Sequence, residues 1–126
     1  MKIKEANIEI IRDNGTLSSI SVVMPMWDKI GIDDFLSINI PLFGIKTFAK
    51  DEVDSDLAVE EAIKIFCINA EDFGKGLENE LKILGWSFSE QTENSTSMYY
   101  GVSDTNIVLE QIMQTGEQYS QKLELV

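Results

Sequence analysis

Residues 56–73 repeat apolar side chains at helical spacing, and this stretch constrains the fold more than any other. Residues 54–56, Asp-Ser-Asp, suit the cap of a helix at its start, and Gly74 suits a stop directly after it. An apolar stripe on a helix must be buried against another element, so we predict an amphipathic helix packed on a sheet. The stripe consists of Val59, Ala62, Ile63, Phe66, Ala70 and Phe73.

The chain before this helix has the pattern of a β-hairpin. Residues 3–12 and 16–24 alternate between the two faces of an extended strand. Asn14 and Gly15 lie between them and favour a two-residue turn, because both residues tolerate a positive φ. We expect the second strand to end at Pro25, since proline cannot donate a hydrogen bond to a neighbouring strand.

The remaining elements predict the fold class. Residues 26–37 are apolar without a regular period, and we expect them to pack on the rest of the domain. Strands are expected at about 43–49, 86–88 and 97–102, with a short helix at 77–84. This order predicts an α+β fold in which the long helix packs on one face of a mainly antiparallel sheet.

Residues 104–126 are predicted to form a C-terminal helix that follows an α+β core of residues 3–103. The length of the chain fits a single domain over residues 1–126. Because the core already has a helix on its sheet, we expect this second stripe to form a homodimer interface that contains Ile112 and Tyr119. Packing within the single chain is the alternative. The stripe consists of Val108, Ile112, Gly116, Tyr119 and Leu123.

Charge and composition exclude several classes of function. With 22 acidic and 10 basic residues the net charge is −12, so we expect no direct binding of nucleic acid. The chain has no histidine, which excludes imidazole catalysis and imidazole metal sites. Cys67 is the only cysteine, so it cannot form a disulfide within the chain, and we expect it in the core.

The first residues lack the apolar segment of a signal peptide, and no apolar run is long enough to span a membrane. We therefore expect a cytoplasmic protein without a membrane contact.

Residues 51–80 contain ten acidic residues against Lys64 and Lys75. Oxygen clusters can bind magnesium or calcium, which would suit a metal-dependent hydrolase. However, residues 51–56 lack the glycine and the spaced glutamate of a calcium loop, so we expect no metal, no cofactor and no catalytic residue. The acids also suit a solvated helix face or a surface for a basic protein. The residues that we assign to such a partner surface are Asp51, Glu52, Asp54 and Asp56.

Two short segments carry a more specific resemblance. Residues 40–49, Ile-Pro-Leu-Phe-Gly-Ile-Lys-Thr-Phe-Ala, and residues 58–62, Ala-Val-Glu-Glu-Ala, resemble the HicB-like antitoxin domain. That family has a strand hairpin, a Pro-x-x-Gly segment leading to a threonine, and a Glu-Glu-Ala start of a long helix. The resemblance covers about residues 3–73. The matching residues are Pro41, Gly44, Thr47, Glu60, Glu61 and Ala62.

The chain also departs from that pattern. It inserts residues 26–37 before the proline segment, and Ala58 stands where the family usually has a capping threonine. Many members carry a separate DNA-binding domain at the C-terminus. Here residues 104–126 contain four acidic residues and only Lys122 as a base, which does not suit a DNA-binding element.

The resemblance implies a non-catalytic protein that occupies and blocks a small basic ribonuclease toxin of the HicA type. The alternative is an orphan domain of the same fold that self-associates and has no toxin partner. A neighbouring reading frame that encodes a small basic protein would distinguish the two.

Overall fold

The computed structural model describes residues 6–30, 35–100 and 117–125. These ranges contain strands, two α-helices and one short 3₁₀ turn. In chain order the elements are β1 (Ala6–Asp13), β2 (Thr16–Ile30), β3 (Leu36–Ile40), the 3₁₀ turn (Pro41–Phe43), β4 (Ile45–Ala49), α1 (Glu52–Asp72), α2 (Leu77–Ile83), β5 (Ser87–Gln91), β6 (Ser95–Tyr100) and β7 (Glu117–Glu124).

The strands form one sheet in the order β4-β3-β2-β1-β6-β5, and β7 also pairs with β2. Every pairing is antiparallel. The long strand β2 connects the parts of this sheet, because β1, β7 and β3 pair with successive, overlapping parts of its length. The predicted α+β class, with a long helix on an antiparallel sheet, is confirmed.

The first hairpin forms as predicted, but its second strand is longer. Asn14 and Gly15 adopt φ values of 50° and 82° between β1 and β2. The prediction that Pro25 ends the strand is wrong, because β2 continues to Ile30. β1 pairs with β2 only as far as Val23, so no residue of β1 lies opposite Pro25. The missing N–H of the proline therefore leaves no β1 residue without its hydrogen bond.

Within the predicted insertion, residues 26–30 and 36–37 belong to strands β2 and β3 and extend the sheet, and residues 31–34 lie outside the described residues. The end of β2 pairs with β3, whose register places Ile30 opposite Leu36. Leu36, Ile38 and Ile40 alternate with polar residues and are buried, which is the pattern of a half-buried strand that the sequence analysis missed. The predicted strand at 43–49 is confirmed as β4.

Helix α1 begins earlier than predicted. Asp51 is its cap, and the carboxylate of Asp51 accepts a hydrogen bond from the backbone N–H of Asp54 at 3.0 Å. Residues 54–56 therefore lie inside the first turns and are not the cap. Phe73, which we expected in the core, is 85% exposed because the helix ends at Asp72.

The core lies between the sheet and the two helices. Helix α1 packs on β4 and β3, and α2 adds Leu77 and Leu81. Among the described helices, none has the length and apolar character needed to cross a membrane. The largest fully buried side chains are Trp86, Phe43, Ile8, Ile10, Ile20, Met24, Ile38, Ile40, Ile63, Leu77, Leu81 and Met98.

The predicted C-terminal helix is wrong over residues 117–124, which form β7. Tyr119 pairs with Met24 and Leu123 with Ile20, and both β7 side chains are buried in the core. Tyr119 is therefore not part of an exposed helical stripe. Ile112 and the rest of residues 104–116 lie outside the described residues, and the homodimer stays a prediction.

Arg12 connects β1 to both helices. It is the only arginine of the chain, and alternation along β1 places it on the same face as Ile8 and Ile10. Its guanidinium donates to the carboxylate of Glu71 at 2.5 and 2.9 Å and to that of Glu78 at 2.6 and 3.1 Å. One cation thus joins the end of α1 to the start of α2.

Candidate protein-binding groove

A groove of about 640 Å³ runs between strand β4 and helix α1. One wall consists of residues 45–48 of β4. The other wall is a side of α1 that extends from Ala58 to Phe73, and Gly74 and Glu80 close one end. The groove is open to solvent and holds both apolar and charged side chains.

The Pro-x-x-Gly segment directs the chain into this groove. Pro41 begins the 3₁₀ turn, where its fixed φ is favourable, and Leu42 and Phe43 are buried. Gly44 ends the turn with a φ of 68°, and its N–H donates to the Pro41 carbonyl at 3.1 Å. This left-handed conformation favours glycine, and it sets the direction in which β4 leaves the core.

Large apolar side chains around the groove are exposed. Phe48 on β4 is 67% exposed, and Ile65 on α1 is 59% exposed. Phe66 lies beside them, half-buried, with its ring stacked on Phe43 at a centroid distance of 4.9 Å. Contiguous exposed apolar surface of this kind marks a place where another molecule binds.

The four acids that we assigned to a partner surface form the cap and the first turns of α1, and none whose side chain the structure describes lines the groove. Asp54 and Asp56 are exposed and form no ion pair within the described residues, whereas Asp51 is committed to the helix cap. Glu52 lies in the first turn of α1. Glu61 lines the groove itself. The assignment of the four acids to a partner surface stays a prediction.

The acidic side of α1 also affects Tyr119. Burial, together with the negative charges of Glu60 and Asp56, raises the pKa of the Tyr119 hydroxyl to about 12. Glu60 is partly compensated by Lys64, whose ammonium lies 3.0 Å from its carboxylate. The start of α1 therefore presents negative charge towards β7 as well as towards solvent.

Across the described ranges, no group of acidic or thiol side chains comes together in a way that could hold a metal ion. The acids of residues 51–80 instead separate into structural and surface roles. Glu71 and Glu78 bind Arg12, and Glu80 accepts a hydrogen bond from the N–H of Lys75 at 3.1 Å.

Cys67 is buried in the core, as predicted. Burial raises the pKa of its thiol from 9.0 to about 12. At pH 8 this shift lowers the thiolate fraction by about three orders of magnitude, and the thiolate is the reactive form.

We expect native protein to react with a maleimide about a thousandfold more slowly than protein in urea, as measured by mass spectrometry. Equal rates in the two states would contradict the buried position.

Sequence reasoning missed the apolar walls of the groove. The sequence of α1 contains a second apolar stripe beside the core stripe. It consists of Ala58, Ala62, Ile65 and Phe66. We assigned Ala62 and Phe66 to the core alone, although a helix that is apolar on more than one side has a further surface to cover.

Comparison with protein-family models, with curated proteins and with solved structures finds no match to this chain. The candidate site therefore rests on its own residues and geometry.

Proposed function

We propose that this chain is a non-catalytic module that binds a small basic protein through the groove between β4 and α1, in the manner implied by its resemblance to HicB-like antitoxins. The observation that carries the proposal is the position of the residues behind that resemblance. Thr47 is distant in sequence from the adjacent Glu61 and Ala62, yet all three line this groove. The Pro-x-x-Gly segment leads directly into it.

The charge of the chain supports a basic partner. The net charge is −12, and the groove is lined by Glu61 and Glu80 against one cation, Lys46, with Glu61 in no ion pair within the residues described. Complementary charge speeds association and favours a partner of opposite sign, whereas nucleic acid is repelled. The charge thus suits a basic partner, and the resemblance implies that this partner is a small ribonuclease toxin, which the chain blocks by occupying it.

The alternative function is an orphan domain that self-associates. The exposed Phe48 favours it, because an apolar groove in a free chain can be covered by a second copy. The interface that we predicted from Tyr119 does not support it, since that side chain is buried. Light scattering at micromolar concentration distinguishes a dimer from a monomer.

The proposed function is tested with the product of a neighbouring reading frame, if that frame encodes a small basic protein. We expect a stoichiometric complex by calorimetry and loss of the partner's mRNA cleavage. Ile65→Lys should weaken the complex by about a hundredfold, because it places a positive charge in the groove opposite a basic partner, a loss of roughly 2.7 kcal/mol.

Ile83→Lys is the matched control for this substitution. Ile83 is 64% exposed in α2, close to the 59% of Ile65, and it does not line the groove. It should bind like the wild type. Equal affinity of the wild type and the Ile65→Lys protein, with both folded by circular dichroism, would contradict the proposed site.

A further inference from the structure

The outer edge of β4 is unpaired in the structure. All five residues of Ile45–Ala49 pair with β3, and within the described part of the chain no strand pairs with the opposite edge. Such an edge presents a row of backbone N–H and C=O groups that can receive a further strand. The groove lies along this edge, because β4 forms one of its walls.

The dimensions of the groove suit an extended segment. The wall of α1 from Ala58 to Phe73 is about 22 Å long at the rise of an α-helix. The five residues of β4 span about 17 Å at the rise of a strand. A segment of five or six residues in extended conformation would therefore match both walls, at about 3.4 Å per residue.

The two faces of such a segment would meet different surroundings. Along β4, Ile45 and Thr47 are half-buried and alternate with the exposed Lys46 and Phe48, and all four line the groove. A neighbouring strand shares these two faces, so its alternate side chains would contact Ile65 and the other apolar residues of α1. Recognition by strand addition has this character, since backbone hydrogen bonds give affinity and pockets for alternate side chains give specificity.

Charge decides between the two possible occupants. A second copy would bring two chains of net charge −12 together at a groove that is lined by Glu61 and Glu80 against one cation, Lys46. A basic segment is attracted by the same charges. The exposed Asp54 follows β4 closely in the chain, in the first turn of α1, and the N-terminus of an antiparallel segment would reach the C-terminal end of β4.

We infer that the groove binds an extended segment of a basic partner, which adds to the free edge of β4 as an antiparallel strand, with lysine or arginine at its N-terminal end and apolar side chains at alternate positions facing α1. This inference rests on the proposed function and names how the same groove recognises its partner.

The probe is a capped octapeptide of two lysines followed by three valine–threonine pairs, titrated into ¹⁵N-labelled protein and followed by NMR. We expect saturable shifts of the β4 amides with a dissociation constant below about 1 mM. Two further peptides carry N-methyl groups, either on the valines or on the threonines. Successive amides of a strand point to opposite edges, so only one of these peptides should lose binding, by about tenfold or more.

Separate controls test the order of residues in the peptide and the binding site on the protein. A peptide with the same residues but consecutive valines should bind at least about tenfold more weakly, because its apolar side chains no longer share one face. The Ile65→Lys protein should lose the binding and the Ile83→Lys protein should keep it. Equal affinity of both N-methylated peptides, or the absence of shifts in β4, would overturn the inference.

The results separate this inference from the proposed function. If the small basic protein binds and Ile65→Lys abolishes the complex, but the two N-methylated peptides bind equally, strand addition is overturned and the proposed function is kept. If the peptide binds with the expected edge selectivity while replacing its lysines by serines changes nothing, strand addition is supported and the basic character of the partner is overturned.

Discussion

Replacing Trp86 with alanine is expected to lower the free energy of unfolding by about 4–5 kcal/mol, the largest effect that we predict for a single substitution. Trp86 is 1% exposed, and its ring contacts Phe43 and Tyr100 at centroid distances of 5.9 and 5.8 Å. Its indole N–H donates to the Leu42 carbonyl at 2.9 Å. The substitution thus creates a cavity and leaves a buried carbonyl without its donor.

Urea denaturation followed by circular dichroism measures this effect. Because domains of this size are stable by only about 5–15 kcal/mol, the alanine variant can fail to fold, and Trp86→Phe provides a second measurement. Phenylalanine keeps most of the apolar contact and loses the hydrogen bond, so we expect a loss of about 1–3 kcal/mol. A phenylalanine variant as stable as the wild type would show that the bond to Leu42 contributes nothing.

Replacing Arg12 with methionine is expected to lower the free energy of unfolding by about 2–4 kcal/mol. The three side chains of the cluster are about one fifth exposed, at 19% for Arg12, 23% for Glu71 and 20% for Glu78. Without the guanidinium, two carboxylates remain close together and partly buried, and they repel each other. Thermal unfolding should show a midpoint lower by about 10 °C.

Lys122→Met is the control for loss of a cation. Lys122 approaches Glu124 at 3.8 Å, and their side chains are 65% and 67% exposed, so solvent screens this pair. We expect its stability to stay within about 0.5 kcal/mol of the wild type. A similar loss in both variants would mean that removal of charge, and not the Arg12 cluster, determines the effect.

The Arg12 cluster also predicts how stability depends on pH. The hydrogen bonds from Arg12 hold the pKa of Glu71 below its ordinary value of 4.5, and the hydrogen bond from the Leu77 N–H lowers it further. A carboxylate with a lowered pKa in the folded state contributes stability that is complete above pH 4.5 and is lost as the pH falls through the lowered value. Glu71→Gln should therefore be less stable than the wild type at pH 7, with a smaller difference below pH 4. A constant difference from pH 7 to pH 3 would contradict this linkage.

Local patterns predicted the hairpin and both helices because the signals concerned lie within a few residues. Asn14 and Gly15 can form the tight turn on their own, and the ends of α1 and α2 lie next to the glycines that predicted their stops, Gly74 and Gly85. The same reasoning failed at Pro25, where the decisive fact is that β1 ends its pairing two residues earlier. A proline ends a strand only if a neighbouring strand needs its hydrogen bond.

The C-terminal error has a related cause. Tyr119 and Leu123 are four residues apart, a spacing that satisfies both the helical period and the period of a strand. In the structure the free edge of β2 decides between them, because β7 gains a ladder of backbone pairs and buries both side chains against the core. No residue near Tyr119 carries that information.

By itself the sequence determined the α+β class, the hairpin turn, the presence of a core stripe on α1 and the negative charge at its start, because each depends on neighbouring residues or on a sum over the chain. Only the tertiary structure decided that Arg12 joins β1 to Glu71 and Glu78, across 59 and 66 residues of chain. It likewise decided that Thr47 and Glu61 share one groove. Contacts of this range are set by how the sheet twists and how the helices pack on it, and the periodicity of a single segment does not specify either.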